Sequence, residues 1–124
     1  MSTFPASTSF VNILVSVKPS TTQPGTYDVL TAPAVPVITE VDTVINYQIF
    51  DTNGYDIVFT GMSVKPDFND QLSPPSVSIS GKTLTFSDAN TEAMTLNVTL
   101  KFKDDGKEGI EFSHDPQISN NPPT

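Results

Sequence analysis

Apolar and polar side chains alternate one for one through nearly every long hydrophobic stretch of this chain, and a period of two predicts strands rather than helices. From Met94 to Phe102 every even position is apolar and every odd one polar. Ile13, Val15 and Val17 share one face of an earlier stretch, with Asn12, Leu14 and Ser16 on the other. Three hairpins are expected, the last of them near the C-terminal end. Val44–Phe50 and Asp56–Met62 flank a turn containing Asn53-Gly54, whose residue types tolerate the positive φ of a tight turn, and Val77–Ser80 and Thr83–Phe86 flank Gly81-Lys82. Tyr27–Leu30 reads as a short strand, whereas Pro33 and Pro36 make 31–37 an edge segment or a crossover between sheets. Seven or eight short strands separated by turns predict an all-β fold, a single antiparallel β-sandwich of immunoglobulin-like architecture. The alternation nominates Ile13, Val15, Val17, Tyr47, Ile49, Ile57, Phe59, Leu84, Phe86, Leu96, Val98, Leu100 and Phe102 as most of its core.

The last hairpin admits a definite register. Pairing Phe102 with Ile110 and Leu100 with Phe112 sets apolar against apolar, places Lys101 opposite Glu111, and makes Asp105-Gly106-Lys107 a three-residue turn. A slip of one residue would send Glu111 and Ser113 to the apolar face. Extended onward, the register sets Thr99 opposite Ser113, Val98 opposite His114, and Asn97 opposite Asp115. Beyond Pro116 the chain reads as a loose polar tail.

With 124 residues and 36% hydrophobic content the chain fits one domain, 1–124, and its 11 prolines and lack of tryptophan suit short strands. It has no cysteine, which excludes disulfides, thiolate metal sites and cysteine nucleophiles. A net charge of −8 opposes a nucleic-acid backbone or an anionic membrane surface as partner. Met1 to Ser9 carries no basic residue and no continuous apolar run, so it does not read as a signal peptide, and no stretch suffices to span a bilayer. The default expectation is a soluble cytoplasmic protein without a cofactor. Asp51, Asn53 and Asp56 resemble the opening of a calcium loop, but the bidentate acid that would complete it is missing, so no metal is expected.

Candidate chemistry is concentrated at Ser113-His114-Asp115-Pro116-Gln117. An aspartate carboxyl can reach its own main-chain carbonyl through a five-membered ring, so the attacking and attacked groups are held together from the start. Proline completes the weakness: its tertiary amide nitrogen is more basic than an ordinary one once the carbonyl is attacked, and is more easily protonated and expelled. The plain reading of the same dipeptide is an inert turn at the end of a strand. His114, the only histidine, should lie on the opposite strand face from Asp115, which favours a packed or exposed side chain over a proton shuttle. Ser113 and His114 are adjacent, cannot share a face, and do not make a serine triad.

These residues and the strand pattern resemble the DP-EP family of small bacterial β-sandwich proteins, described from Shewanella. The resemblance implies self-cleavage at Asp115-Pro116 with an acidic residue assisting, an aspartic-peptidase-like activity whose substrate is the chain's own C-terminal segment. It also implies a cross-link from the cleaved aspartate to a lysine on the neighbouring strand. By the register above that position holds Asn97, whose amide is a poor nucleophile, and the chain has no Glu-Pro dipeptide. Two routes serve cleavage: attack by Asp115 on its own carbonyl through a cyclic anhydride, or carboxylate activation of water. Glu40, Asp42 and Glu111 are the candidate acids. The competing expectation is a non-catalytic binding or structural module in which the Asp-Pro turn is inert.

Overall fold

The computed structural model describes residues 8–107 and 109–123, so the leader reading of Met1 to Ser9 lies largely outside the described residues. Ten strands follow one another: β1 (Phe10–Pro19), β2 (Tyr27–Ala32), β3 (Val37–Ile38), β4 (Thr43–Asp51), β5 (Ile57–Lys65), β6 (Ser76–Val77), β7 (Thr83–Asp88), β8 (Met94–Asp104), β9 (Ile110–His114) and β10 (Gln117–Asn120). The described residues contain no α-helix, only a single 3₁₀ turn over Asp105–Lys107.

The strands form two sheets, ordered β2-β1-β4-β7-β6 and β3-β10-β8-β5, with β9 pairing β8 in line with β10. Two pairings, β1 with β4 and β10 with β3, are parallel, so the expectation of a wholly antiparallel arrangement of seven or eight strands is corrected to ten strands in two mixed sheets. The Asn53-Gly54 hairpin is also corrected. Both residues have positive φ, 54° and 86°, as their types allow, yet β4 and β5 belong to different sheets. Tight-turn chemistry bends the chain but does not oblige its arms to pair, and β4 already has β1 on one edge and β7 on the other. The Pro33–Pro36 segment does switch sheets, carrying the chain from β2 to β3.

Buried side chains of both sheets meet in one apolar cluster, which contains every core position nominated by alternation and adds Val29, Ile38, Ile45 and Ile118. Ile118 is the informative addition. It lies in the stretch expected to be a loose tail, yet it is fully buried on β10, an interior strand between β8 and β3.

The final hairpin keeps the expected faces but slides by two residues. Phe102 pairs with Phe112, Lys103 with Glu111 and Leu100 with His114, in place of Leu100 with Phe112. A two-residue slip leaves every side chain on its own face, so alternation cannot detect it. Aromatic packing decides the register: Phe112 stacks on Phe102 at 5.1 Å between ring centroids and on Tyr27 of the other sheet at 4.2 Å, and Phe102 in turn meets Phe59 at 5.1 Å. The Tyr27 hydroxyl donates to buried Asp104 Oδ2 at 2.6 Å, and burial together with this carboxylate pushes the phenol up to about 12. The added loop length is taken up by the 3₁₀ turn and by Gly109 at φ 73°, whose N–H donates to the Asp104 carbonyl at 3.1 Å.

One single and two paired substitutions check this arrangement. Tyr27→Phe leaves a buried carboxylate oxygen without its donor and should lower stability by about 1–3 kcal/mol in urea denaturation. Lys103→Cys with Glu111→Cys should form a disulfide under mild oxidation, because directly opposed residues fall within disulfide reach. Lys101→Cys with Glu111→Cys should not; the reverse pattern would restore the register read from the sequence.

Candidate cleavage site

Asp115 and Pro116 occupy the gap between two collinear strands. Among the described residues β9, upstream, pairs with β8 alone; downstream, β10 is enclosed by β8 and β3. Pairing lapses at the dipeptide, but the register passes through unchanged: Leu100 opposes His114 before it, and Asn97 opposes Gln117 after it. Asp115 therefore shares a rung with Thr99, not with Asn97 as the sequence register had it. Asn97 is engaged elsewhere, its Oδ1 accepting from Gln117 Nε2 at 2.9 Å.

The alternation of β9 also runs on through the gap. Pro116 is buried and Asp115 exposed, while Ile118 and Asn120 are buried beyond them. The proline carbonyl accepts from Val98 N–H at 2.9 Å, which ties the proline side of the bond to β8. Farther along, Asn120 Nδ2 donates to Asp88 Oδ1 at 3.1 Å and to Gln71 Oε1 at 3.2 Å. Burial raises the Asp88 carboxyl above the usual carboxylate range, and the Asn90 N–H and the Asn120 amide only partly offset it. These anchors escaped sequence reading because they come from four separate segments.

A shallow cleft of about 330 Å³ lies along the dipeptide, walled by Val29, Leu30 and Thr31 of β2, by Ala34 and Val35 of the crossover, and by His114 to Gln117. Asp115 is the only acid in its lining. Glu40 and Asp42 sit in the turn after β3, and the parallel pairing of Asn120 with Ile38 puts that turn at the far end of β10. Five strand residues from Asp115 to Asn120 cover about 16 Å, so the structure does not bring these two acids to the bond. Glu111 shares the outward face of Asp115 but lies four residues away, about 13 Å along the strand, in a separate hollow with Thr60, Thr99 and Lys101. Ser113 opposes Lys101, and His114 lies on the other face. The geometry is suited to attack by the carboxyl of Asp115 itself more than to a second acid activating water.

Acidic residues of the supposed calcium loop are engaged by lysines, Asp51 with Lys18 at 3.4 Å and Asp56 with Lys82 at 3.6 Å. Among the described residues there is no group of three or more His, Cys, Asp or Glu arranged to hold a metal, and no helix long and apolar enough to cross a membrane.

Fold and site together define a small all-β protein whose Asp-Pro bond joins an outer strand segment to an inner one. The chain belongs to the DP-EP family, whose sequence model matches residues 9–122. No curated protein is similar enough to be matched. Among solved structures the fold is similar to that of the inclusion body protein PixA from Burkholderia cenocepacia, with a TM-score of 0.58 and 13% identity over 98% of this chain and 100% of that one.

The half-buried His114 carries its own pH signature. Burial lowers its imidazole below 6.5, although the charge of Asp115 pulls the other way. The unfolded chain then takes up a proton near pH 6.5 that the folded chain does not accept until lower pH, so stability should fall as pH drops through this window. Urea midpoints measured from pH 7.5 to 5.5 should decline, and His114→Gln should flatten that decline; an unchanged slope in the variant would assign it to other groups.

Proposed function

We propose that this protein cuts its own backbone once, at Asp115-Pro116. In finer terms, we take the two sheets to pack as an immunoglobulin-like β-sandwich and the protein to act in the soluble cytoplasm. The observation that carries the reading is the division of the bond between an exposed Asp115 and a buried Pro116 whose carbonyl is hydrogen-bonded to β8. One side of the scissile bond is held while the attacking carboxyl remains free to rotate.

The Asp115 carboxylate attacks its own carbonyl carbon, and the resulting intermediate expels the Pro116 nitrogen as that nitrogen takes a proton from solvent. This breaks the C–N bond and leaves a five-membered cyclic anhydride on the body of the protein. Water opens the anhydride, giving two carboxyl groups; the net change is one water added across one peptide bond. The observed register bears on the cross-link as well. Lys101 shares the outward face with Asp115 one rung pair away, a diagonal of roughly 7–8 Å that a lysine can span. Capture of the anhydride by its amine would form an isopeptide bond with no added water.

Incubation from pH 5 to 7 followed by denaturing mass spectrometry should show a segment starting at Pro116, with cleavage at least about tenfold faster in folded than in urea-unfolded protein, about 1.4 kcal/mol in barrier. Asp115→Ala should abolish it. The body of the protein gains one water if the anhydride is hydrolysed and none if Lys101 captures it, and Lys101→Met should leave only the hydrolytic product. An intact mass at every pH would instead favour a binding or structural module with an inert Asp-Pro turn.

A further inference from the structure

The segment released by such a cut is not a tail but an inner strand. Residues 117–120 pair with β8 on one side, and Ser119 and Asn120 pair with β3 on the other. Backbone bonds seat both edges: Val98 N–H to the Pro116 carbonyl at 2.9 Å, Ser119 N–H to the Pro36 carbonyl at 3.0 Å, and Asn121 N–H to the Ile38 carbonyl at 2.8 Å. Pro116, Ile118 and Asn120 enter the interior in alternation, and Asn120 reaches Asp88 and Gln71. Without the segment, β8 and β3 would border a slot with unpaired backbone groups, an apolar socket for Ile118 and a polar socket for an amide.

We propose that this slot is a strand-binding site and that its occupant in trans is the C-terminal segment of a second copy of this chain. Any strand can satisfy the backbone groups of a sheet slot, but alternate side chains select among strands. The segment that matches the proline, isoleucine and asparagine sockets is carried by every copy. Residues 116–124 also contain no charged side chain, so the segment moves between molecules without bringing the charge of two −8 chains into the slot. The lapse in pairing at Asp115-Pro116 supplies the hinge or the cut. In the uncut chain the tethered segment is present at an effective concentration on the order of millimolar, which keeps the slot closed to others; cutting removes that advantage. The biological trigger thus rests on the cleavage proposed above, but the site does not.

The test separates the two. A recognition sequence for a site-specific protease is inserted between Asp115 and Pro116, and the folded full chain is cut with that protease, so that exchange is read even if self-cleavage never occurs. Isotopically heavy and light preparations are mixed and followed by native mass spectrometry. With equal amounts mixed, the two hybrid species, light bodies with heavy segments and heavy bodies with light ones, should together accumulate toward half of the population, while uncut controls remain unmixed. A synthetic 116–124 peptide should compete for the slot, and the same peptide with Ile118→Asp should not. If the insertion prevents folding, the same readout is applied to natural-sequence chains cut at their single Asp-Pro bond in dilute acid and returned to neutral pH. Segments that stay bound without mixing below the unfolding temperature would overturn the proposal. So would bodies that lose their segments without taking up the added peptide, or equal uptake of the Ile118→Asp peptide.

Discussion

The stack of Tyr27, Phe112, Phe102 and Phe59, closed by the Tyr27–Asp104 hydrogen bond, is the constraint on which the position of the candidate site depends. Each aromatic pair contributes about 0.5–1.5 kcal/mol beyond simple burial, enough for several together to choose between registers that alternation leaves equivalent. Once Phe112 is fixed opposite Phe102, Asp115 falls on the rung of Thr99 and Pro116 on that of Val98. Moving the hairpin by two residues would exchange these neighbours without turning one core side chain to the opposite face.

β8 is the beam that transmits this choice. Its Leu96, Val98, Leu100 and Phe102 are fully buried, each worth about 1.5–3 kcal/mol, and its edges hold β5 on one side and β9 with β10 on the other. The chain leaves β9 for β10 along the same edge of β8, while β3 covers only the later part. An edge strand thus becomes an inner strand across a single dipeptide. Proline suits that transition, because it cannot donate to a ladder and here does not have to. Aspartate suits it because an exposed carboxyl incurs no burial cost.

Two polar features show different ways of handling a buried acid. Asp104 is met by the Tyr27 hydroxyl and the Gly106 N–H. Asp88 is pushed toward its neutral form by burial, while Asn90 and Asn120 supply donors to the same oxygen, Oδ1. The second arrangement joins β7 to β10 and therefore couples the body of the fold to the segment beyond the Asp-Pro bond. A strand held by such contacts can stay in place after its covalent link is lost, which makes a cut at Asp115 compatible with an intact fold.

Period-two alternation by itself determined the all-β class and the inward faces of the main strands, because which side chains avoid water is a local property of the pattern. It also located the Asp-Pro dipeptide, whose chemistry belongs to two adjacent residues. Sheet membership was not local: Asn53 and Gly54 adopt their turn conformations, but competition for the edges of β4 sent β5 to the other sheet. The partner of Asp115, the distance of Glu40, Asp42 and Glu111 from it, and the burial of Ile118 were likewise settled by tertiary structure. Each depends on a register or a strand order in which residues far apart in sequence share an edge, and a two-residue slip changes such neighbours while leaving the hydrophobic pattern untouched.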